Sequence, residues 1–192
     1  MLTPELILAT DPPSSPLRAD QPARPPLRVG AVQEAWRADP EEHRAALARG
    51  IRMAAAHGAR LICLQELTLS PYFAITADAP AEPEELEHGP TVAFARAMAV
   101  ETGAYVHASL FEAAPKVADR APGYNTAVCV APDGRLAART RKLHIPRFDG
   151  YREDAYFRPG DTGFPVHELA GAQVALPTCW DQWFPELARA SA

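Results

Sequence analysis

The sequence predicts an α/β protein with a mixed β-sheet, and three observations support this prediction. The 192 residues are 47% apolar and 22% charged, which is typical of a globular protein with one core. Short apolar runs that resemble strands alternate with longer helical patterns. Pro132, Asp133 and Gly134 form a hairpin signal between two further strand patterns, so part of the sheet should be antiparallel.

Residues 1–26 form a predicted disordered tail. Seven of the 20 prolines lie there, among Asp, Ser and Arg residues, and such a composition buries too little apolar surface to fold. Regular patterns begin at residue 27, and the sequence contains neither an internal repeat nor a second domain boundary. We therefore predict one domain over residues 27–192.

The first half of this domain is predicted to contain two strands separated by a helix. Residues 27–33 (LRVGAVQ) are typical of a buried strand, and residues 61–65 (LICLQ) of a second one. Between them, Asp39 precedes a proline and two glutamates, which is typical of a helix start. We expect the helix to cover residues 40–57 and to stop at Gly58.

The second half continues the alternation and adds a long loop. We predict these elements in order: a helix over residues 91–102 that ends at Gly103, strands over 105–111, 125–130 and 135–141, a loop over 144–165, strands over 166–169 and 173–176, and a helix that starts at Pro185.

Charge and hydropathy exclude several classes of function. The net charge is −5 and the 19 basic residues are scattered, so a nucleic-acid partner is not expected. No apolar stretch approaches the roughly 20 residues of a membrane helix, and the N-terminus lacks the pattern of a secretory signal. We expect a cytoplasmic protein with no membrane partner.

The three cysteines predict reduced thiols rather than a structural framework. Cys63, Cys129 and Cys179 are odd in number and widely spaced, which argues against disulfides and against a zinc site. Cys63 and Cys129 lie inside apolar strand patterns and are expected to be inert core thiols. Cys179 follows a strand amid polar and aromatic residues, where a nucleophile could be exposed.

Three polar residues with complementary chemistry follow strand patterns. Glu66, Lys142 and Cys179 would act as general base, as stabiliser of negative charge and as nucleophile, and strand ends are where open α/β folds collect such groups. Spacing alone also allows Glu66 to be an exposed loop acid and Lys142 a surface cation. Lys142 is nevertheless unusual, because 17 of the 19 basic residues are Arg.

Three short runs resemble the nitrilase, or carbon-nitrogen hydrolase, superfamily. They are LQELTLSPYF at 64–73, RKLHIP at 141–146 and CWDQWFPELAR at 179–189, and their order and separations also fit. The resemblance implies a four-layer α-β-β-α sandwich with mixed sheets and the hydrolysis of amide, carbamoyl or nitrile carbon-nitrogen bonds. It implies neither a metal nor a cofactor.

The resemblance implies catalytic roles for four residues. Carried over position by position, the family's glutamate is Glu66, its lysine is Lys142 and its nucleophile is Cys179. A second glutamate, found in many members, matches Glu153, which would position the substrate nitrogen or hold Lys142. Pro177 departs from the family's pattern and cannot donate to a strand ladder, which leaves open whether the nucleophile is displaced.

The same runs imply which residues face a substrate. Tyr72, His144 and Trp180 are the expected substrate-binding residues; His144 is a loop residue that packs near the site, and the backbone N–H of Trp180 would donate to an oxyanion. Within the superfamily, the sequence most resembles the N-carbamoylputrescine amidohydrolase branch, and the β-ureidopropionase branch is its neighbour. The expected partner is a small-molecule carbamoyl amine or amide.

The resemblance also implies a domain that is incomplete at its C-terminus, because the family's domain continues with further strands and helices. A complete protein is expected to form homo-oligomers. Two alternatives to an active hydrolase stay open. One is an inactive remnant or pseudoenzyme that associates with intact subunits, and the other is a binding module without turnover.

Overall fold

A five-stranded mixed sheet forms the centre of the computed structural model, which describes residues 5–9 and 25–192. Its strands are β1 (Val29–Ala31), β2 (Leu61–Cys63), β3 (Tyr105–Ala113), β4 (Gly123–Val130) and β5 (Leu136–Arg141), in that spatial order. The first three strands are parallel, and β4 is antiparallel to both β3 and β5. The predicted α/β class with a mixed sheet is confirmed. Most of the predicted tail lies outside the described residues.

Local capping signals define the helices. They are α1 (Pro40–Ala56), α2 (Pro90–Thr102) and α3 (Pro185–Ser191). Asp39 caps α1 by accepting the backbone N–H groups of Glu41 and Glu42, and α2 ends at Gly103, whose φ of 68° is the left-handed conformation that glycine adopts without strain. The structure confirms the predicted start of each helix to within one residue.

Both long helices pack on one face of the sheet. Ile51 of α1 and Val92 of α2 are fully buried. They join a core that includes alternate residues of the strands, among them Ile62 and Val106. The period of 3.6 on the helices and of 2 on the strands thus places their apolar sides against one another.

A β-hairpin covers part of the opposite face. Strands β8 (Val166–Leu169) and β9 (Ala172–Ala175) form a separate two-stranded sheet, as the sequence predicts to within one residue. Leu169 belongs there to a buried cluster that includes Ala127 and Cys129 of β4. Within the described residues, the layers are therefore two helices, the mixed sheet and this hairpin.

Two sequence predictions need correction. The strand predicted at 27–33 is shorter, and it is not buried: Val29 of β1 is 54% exposed, because β1 is an edge strand with one neighbour. The loop predicted at 144–165 contains the short pair β6 (Arg147–Phe148) and β7 (Tyr151–Arg152), followed by a 3₁₀ turn over Glu153–Ala155.

None of the helices within residues 5–9 and 25–192 combines the length and the apolar character that crossing a membrane requires.

Candidate active site

Glu66, Asn125 and Lys142 meet at one end of the five-stranded sheet. Glu66 follows β2, Lys142 directly follows β5, and Asn125 lies near the start of β4. Because β2 is parallel to β3 while β4 is antiparallel to β3 and β5, these positions fall at the same end. The topology therefore brings together side chains that are far apart in the sequence.

The turn that carries Glu66 is tied to β3 by three hydrogen bonds to Ser109. The N–H groups of Leu67 and Thr68 donate to Ser109 Oγ (3.1 Å) and to its carbonyl (2.8 Å), and the Ser109 N–H donates to Thr68 Oγ1 (2.9 Å). Leu67 has a φ of 49°, a left-handed conformation that needs such support in a residue with a side chain. Glu66 is therefore presented on a fixed turn.

Lys142 is enclosed between two carboxylates. Its Nζ donates to Glu66 Oε1 at 3.0 Å and to the two oxygens of Glu153 at 2.8 and 2.9 Å, and its side chain has no exposed surface. The backbone is fixed as well, since the Lys142 N–H donates to the Asn125 carbonyl at 2.8 Å. Lys142 is therefore buried, and it is not the surface cation that its position in the sequence alone allowed.

Glu153 is fully buried at the start of its 3₁₀ turn. Tyr72 donates its hydroxyl to Glu153 Oε1 at 2.8 Å, so this carboxylate accepts from both Tyr72 and Lys142. Burial raises the pKa of the Glu153 carboxyl, and the ammonium of Lys142 opposes that rise. Burial and Glu153 likewise raise the pKa of Tyr72, which keeps its hydroxyl protonated and able to donate.

Cys179 lies after β9 and completes a cluster with Glu66, Lys142 and Glu153. It begins a 3₁₀ turn over Cys179–Trp183 and has a φ of 49°, a strained conformation that is common at functional turns. Its sulfur and one carboxylate oxygen each of Glu66 and Glu153 all lie within 4.8 Å of one another. Pro177 lies beyond the end of β9, so it interrupts no strand pairing. It does not keep the Cys179 sulfur away from the Glu66 and Glu153 carboxylates.

The charges around the sulfur favour the neutral thiol. Burial and the Glu66 carboxylate raise the pKa of Cys179, and the opposing effects of Lys142 and of the Trp180 N–H do not outweigh them. Burial alone would lower the pKa of Lys142, but Glu66 and Glu153 raise it above its ordinary value. The resting site therefore combines a thiol with a permanent ammonium, and forming the thiolate requires a base.

The buried carboxylate of Asp181 links the residues that follow Lys142 to the turn that begins at Cys179, which we call the Cys179 turn. Asp181 accepts the N–H groups of Leu143 and His144 at 3.2 and 2.9 Å, and His144 Nδ1 lies 2.8 Å from the same carboxylate. The His144 ring stacks on Phe184 with 3.7 Å between ring centroids. His144 therefore packs beside the site through Asp181 and Phe184.

Aromatic rings lie around the Cys179 turn. The Trp180 ring lies 5.3 Å from those of Phe148 and Trp183, and the Tyr72 ring lies 6.2 Å from that of Tyr151. Trp183 is 75% exposed. Tyr72 and Trp180 are thus near the cluster, as a substrate-binding role would require.

The cluster could offer Glu66, Glu153 and Cys179 as metal ligands, but its fourth member is unfavourable to that use. Lys142 already donates to both carboxylates, so a cation would have to displace a buried ammonium. The donor set therefore suits nucleophilic chemistry better than metal binding.

The other two thiols are Cys63, which is half-buried, and Cys129, which is buried. Burial raises the pKa of Cys129 to about 12 and also raises that of Cys63. Both lie on strands, and Cys129 is fully buried. Their surroundings agree with the expectation of inert core thiols.

Two residues of the site were missed at the sequence level. Asn125 donates its Nδ2 to Glu66 Oε1 at 2.6 Å, and Asp181 supports the Cys179 turn. Asn125 sits inside a strand pattern, where nothing local marks it. Asp181 lies within the motif that contains Cys179, and its position two residues after Cys179 was a usable signal.

Comparisons with known proteins agree with this architecture. A family model described as carbon-nitrogen hydrolase matches residues 28–192. N-carbamoylputrescine amidase of Arabidopsis thaliana is 38% identical over 164 residues, which cover 84% of this chain and 53% of that protein. Citrullinase of Francisella tularensis is 33% identical over 168 residues, which cover 86% of this chain and 57% of that protein.

A solved structure shows the same fold. The crystal structure of a carbon-nitrogen hydrolase from Helicobacter pylori G27 matches with a TM-score of 0.72 at 29% identity, over 85% of this chain and 55% of that one. The nitrilase-like fold implied by the resemblance is thereby confirmed. The chain spans about half the length of the curated relatives it matches. It belongs to the carbon-nitrogen hydrolase family.

Proposed function

We propose that this protein hydrolyses a non-peptide carbon-nitrogen bond, in an N-carbamoyl amine or an amide, with Cys179 as the nucleophile. One observation carries the proposal: the Cys179 thiol, the Glu66 carboxylate that can take its proton and the enclosed Lys142 ammonium lie together. The likeness to an N-carbamoylputrescine amidase supports a carbamoyl amine as the substrate.

The first half of the reaction forms a covalent intermediate. Glu66 takes the proton from Cys179, and the thiolate attacks the carbamoyl carbon. The tetrahedral adduct collapses as ammonia leaves with the proton that Glu66 returns. The amine portion of the substrate then remains bound to sulfur as a thiocarbamate.

Charge stabilisation during this step falls to Lys142 and to the Trp180 backbone. In the resting site, the N–H groups of Lys142 are directed at Glu66 and Glu153. When Glu66 becomes protonated, its hold on the ammonium weakens, and one N–H of Lys142 can turn to the oxyanion beside the Trp180 N–H. Glu153, which accepts from Lys142 and Tyr72, holds the ammonium in place.

The second half releases the sulfur. Glu66 deprotonates a water, the hydroxide adds to the thiocarbamate carbon, and Cys179 leaves as a thiol. The product is a carbamic acid, which loses carbon dioxide and gives the free amine. With a simple amide, the same steps give ammonia and a carboxylic acid.

Ammonia release tests the proposal. The substrates are N-carbamoylputrescine, N-carbamoyl-β-alanine, citrulline and a simple amide, and the variants are Cys179→Ser and the matched control Cys63→Ser. We expect the wild type and Cys63→Ser to release ammonia from at least one ureido compound and Cys179→Ser to release none above background. Equal rates in all three proteins would contradict the proposal.

The alternatives give different outcomes. Binding of these compounds without turnover would indicate a binding module, and turnover only after mixing with an intact family member would indicate a pseudoenzyme. The homo-oligomer and the cytoplasmic location stay predictions.

A further inference from the structure

We infer that Ser109 and Asn125 form a positioning pair that assigns the two carboxylate oxygens of Glu66 to different tasks. Oε1 would be held permanently by donors, and Oε2 would exchange the proton with Cys179. The inference rests on the proposed function, in which Glu66 is the base, and adds two residues that do not themselves touch the reacting atoms.

The two oxygens of Glu66 have different surroundings. Asn125 is fully buried and donates its Nδ2 to Oε1 at 2.6 Å, and Lys142 Nζ donates to the same oxygen at 3.0 Å. Across residues 5–9 and 25–192, no hydrogen bond reaches Oε2. The Glu66 side chain is 21% exposed, so Oε2 is the oxygen available to the thiol and to a water.

Ser109 fixes which way the Asn125 amide faces. Ser109 Oγ already accepts the Leu67 N–H at 3.1 Å, and its own proton is directed to Asn125 Oδ1 at 3.3 Å. Register explains how they meet: Ser109 pairs with Ala127, which places Asn125 on the same face two residues away. A flipped amide would set Oδ1 against the Glu66 carboxylate and Nδ2 against an oxygen that already accepts.

The pair has an electrostatic consequence. The ionisable groups that face Glu66 are Lys142, Glu153, Cys179 and Tyr72, and one of them is a second carboxylate. A hydrogen-bond donor to a carboxylate oxygen stabilises the ionised form of the carboxylate. Losing the donor would favour protonation of Glu66 and reduce the fraction of protein with a competent base.

The pH profile of kcat/KM for ammonia release tests this inference. In Asn125→Leu, which keeps the side chain's size, we expect the acid limb to move up by about one pH unit and kcat/KM on that limb to fall about tenfold. The matched control is Thr126→Val. Thr126 is the next residue on β4, is equally buried and donates to Glu112, so its removal should leave the acid limb in place.

A graded pair of variants covers the case in which Asn125→Leu does not fold. Ser109→Ala removes the hydroxyl that holds the Asn125 amide, so the acid limb should move up, but by less than in Asn125→Leu. Ser109→Thr keeps a hydroxyl, so its acid limb should lie closer to that of the wild type. An acid limb that stays in place in the folded variants, with only the thermal midpoint lowered, would overturn the inference.

A second readout separates this inference from the proposed function. If the wild type releases no ammonia, the proposed function fails, and the pH dependence of Cys179 alkylation by iodoacetamide is compared instead. A midpoint that differs in Asn125→Leu but not in Thr126→Val supports the pair. Identical midpoints in all three proteins overturn it.

Discussion

Lys142 has both a structural and a chemical part in the candidate site. Its ammonium is the only cation that donates to Glu66 or Glu153 within residues 5–9 and 25–192, and both Lys142 and Glu153 are buried. Removing one partner of a buried ion pair costs about 3–5 kcal/mol, because a charge is left uncompensated. A substitution of Lys142 must therefore be measured on stability and on activity separately.

We predict that Lys142→Ala lowers kcat/KM for ammonia release by about 100-fold or more, because the oxyanion loses its charge stabilisation. Lys142→Arg should not restore activity, since a planar guanidinium cannot place its charge where the compact ammonium lies between Glu66 and Glu153. Steady-state kinetics of the folded variants measure both effects.

A double variant separates the two roles. In Lys142→Met/Glu153→Gln a neutral amide replaces the buried carboxylate of Glu153. The urea midpoint should therefore recover part of the loss seen in Lys142→Met, while activity stays absent. Recovery of activity in Lys142→Arg to within tenfold of the wild type would contradict the assigned geometry.

At the residue scale, the sequence could indicate chemistry but not partners. Glu66, Lys142 and Cys179 could be chosen because each follows a strand pattern and has a reactive side chain. Asn125 could not, because its role depends on the β3–β4 register that sets it beside Ser109 and on the turn that delivers Glu66. Such a contact comes from tertiary structure and leaves no local signal.

At the element scale, two strained turns present two groups of the candidate site, the Glu66 carboxylate and the Cys179 thiol. Leu67, next to Glu66, and Cys179 both have positive φ values, 49° in each case. Three hydrogen bonds to Ser109 support the first turn, and Asp181 supports the second. These turns keep the carboxylate and the thiol in place without a ligand.

We predict that Asp181→Asn lowers both stability and activity. The carboxylate accepts the N–H groups of Leu143 and His144 and contacts His144 Nδ1 through Oδ1, and it accepts the Thr178 N–H through Oδ2. An amide offers only one acceptor oxygen, so at least one of these donors loses its partner. The expected loss is about 1–3 kcal/mol, measured by urea unfolding, and kcat should fall more than KM rises.

Asp133→Asn is the control for this change. Asp133 has 67% of its side chain exposed and caps the β4–β5 turn by accepting the Arg135 N–H at 3.0 Å, so its replacement should change stability by less than about 0.5 kcal/mol. Equal effects of the two substitutions would show that Asp181 does not couple the residues that follow Lys142 to the Cys179 turn.

The element boundaries show which signals are local. α1 and α2 were predictable because the cap at Asp39 and the glycine at Gly103 act within one turn of the helix. The exposed edge position of β1 was not, since burial depends on which strands flank it. The β6–β7 pair has two residues per strand, too few for a periodic pattern.

At the scale of the whole molecule, one histidine links folding to pH. His107 lies in the central strand β3, and its Nδ1 is buried without a hydrogen-bond partner in the described part of the chain. Burial lowers the pKa of His107 to about 4. An unfolded chain, with an ordinary histidine pKa near 6.5, binds a proton that the folded protein excludes.

We predict that His107 makes the folded protein less stable as the pH falls from about 6.5 towards 4. In this window the unfolded state binds more protons, so the free energy of unfolding rises with pH and the contribution is complete above 6.5. Urea unfolding at pH 7 and pH 5 should show about 1–2 kcal/mol less acid destabilisation in His107→Gln than in the wild type. His88→Gln, at an exposed position, is the control, and an equal pH response in all three proteins would rule out this role.

The layer order was predictable as a class, and its details were not. Alternating strand and helix patterns with one hairpin signal suffice for an α/β fold with a mixed sheet. Residues 166–175 form a hairpin on the face opposite the helices, where Leu169 shares a buried cluster with Ala127 and Cys129. Such clustering of residues that are far apart in the sequence leaves no local signal.

The most direct test is to titrate activity against the alkylation of Cys179. Protein is treated with increasing amounts of iodoacetamide, the modified fraction of Cys179 is measured by peptide mass spectrometry, and ammonia release from a ureido substrate is assayed on the same samples. If Cys179 is the nucleophile that Glu66 and Lys142 serve, the rate falls in direct proportion to the modified fraction and reaches zero when modification is complete. Ammonia release that persists once every Cys179 is alkylated would show that Cys179 is not the nucleophile.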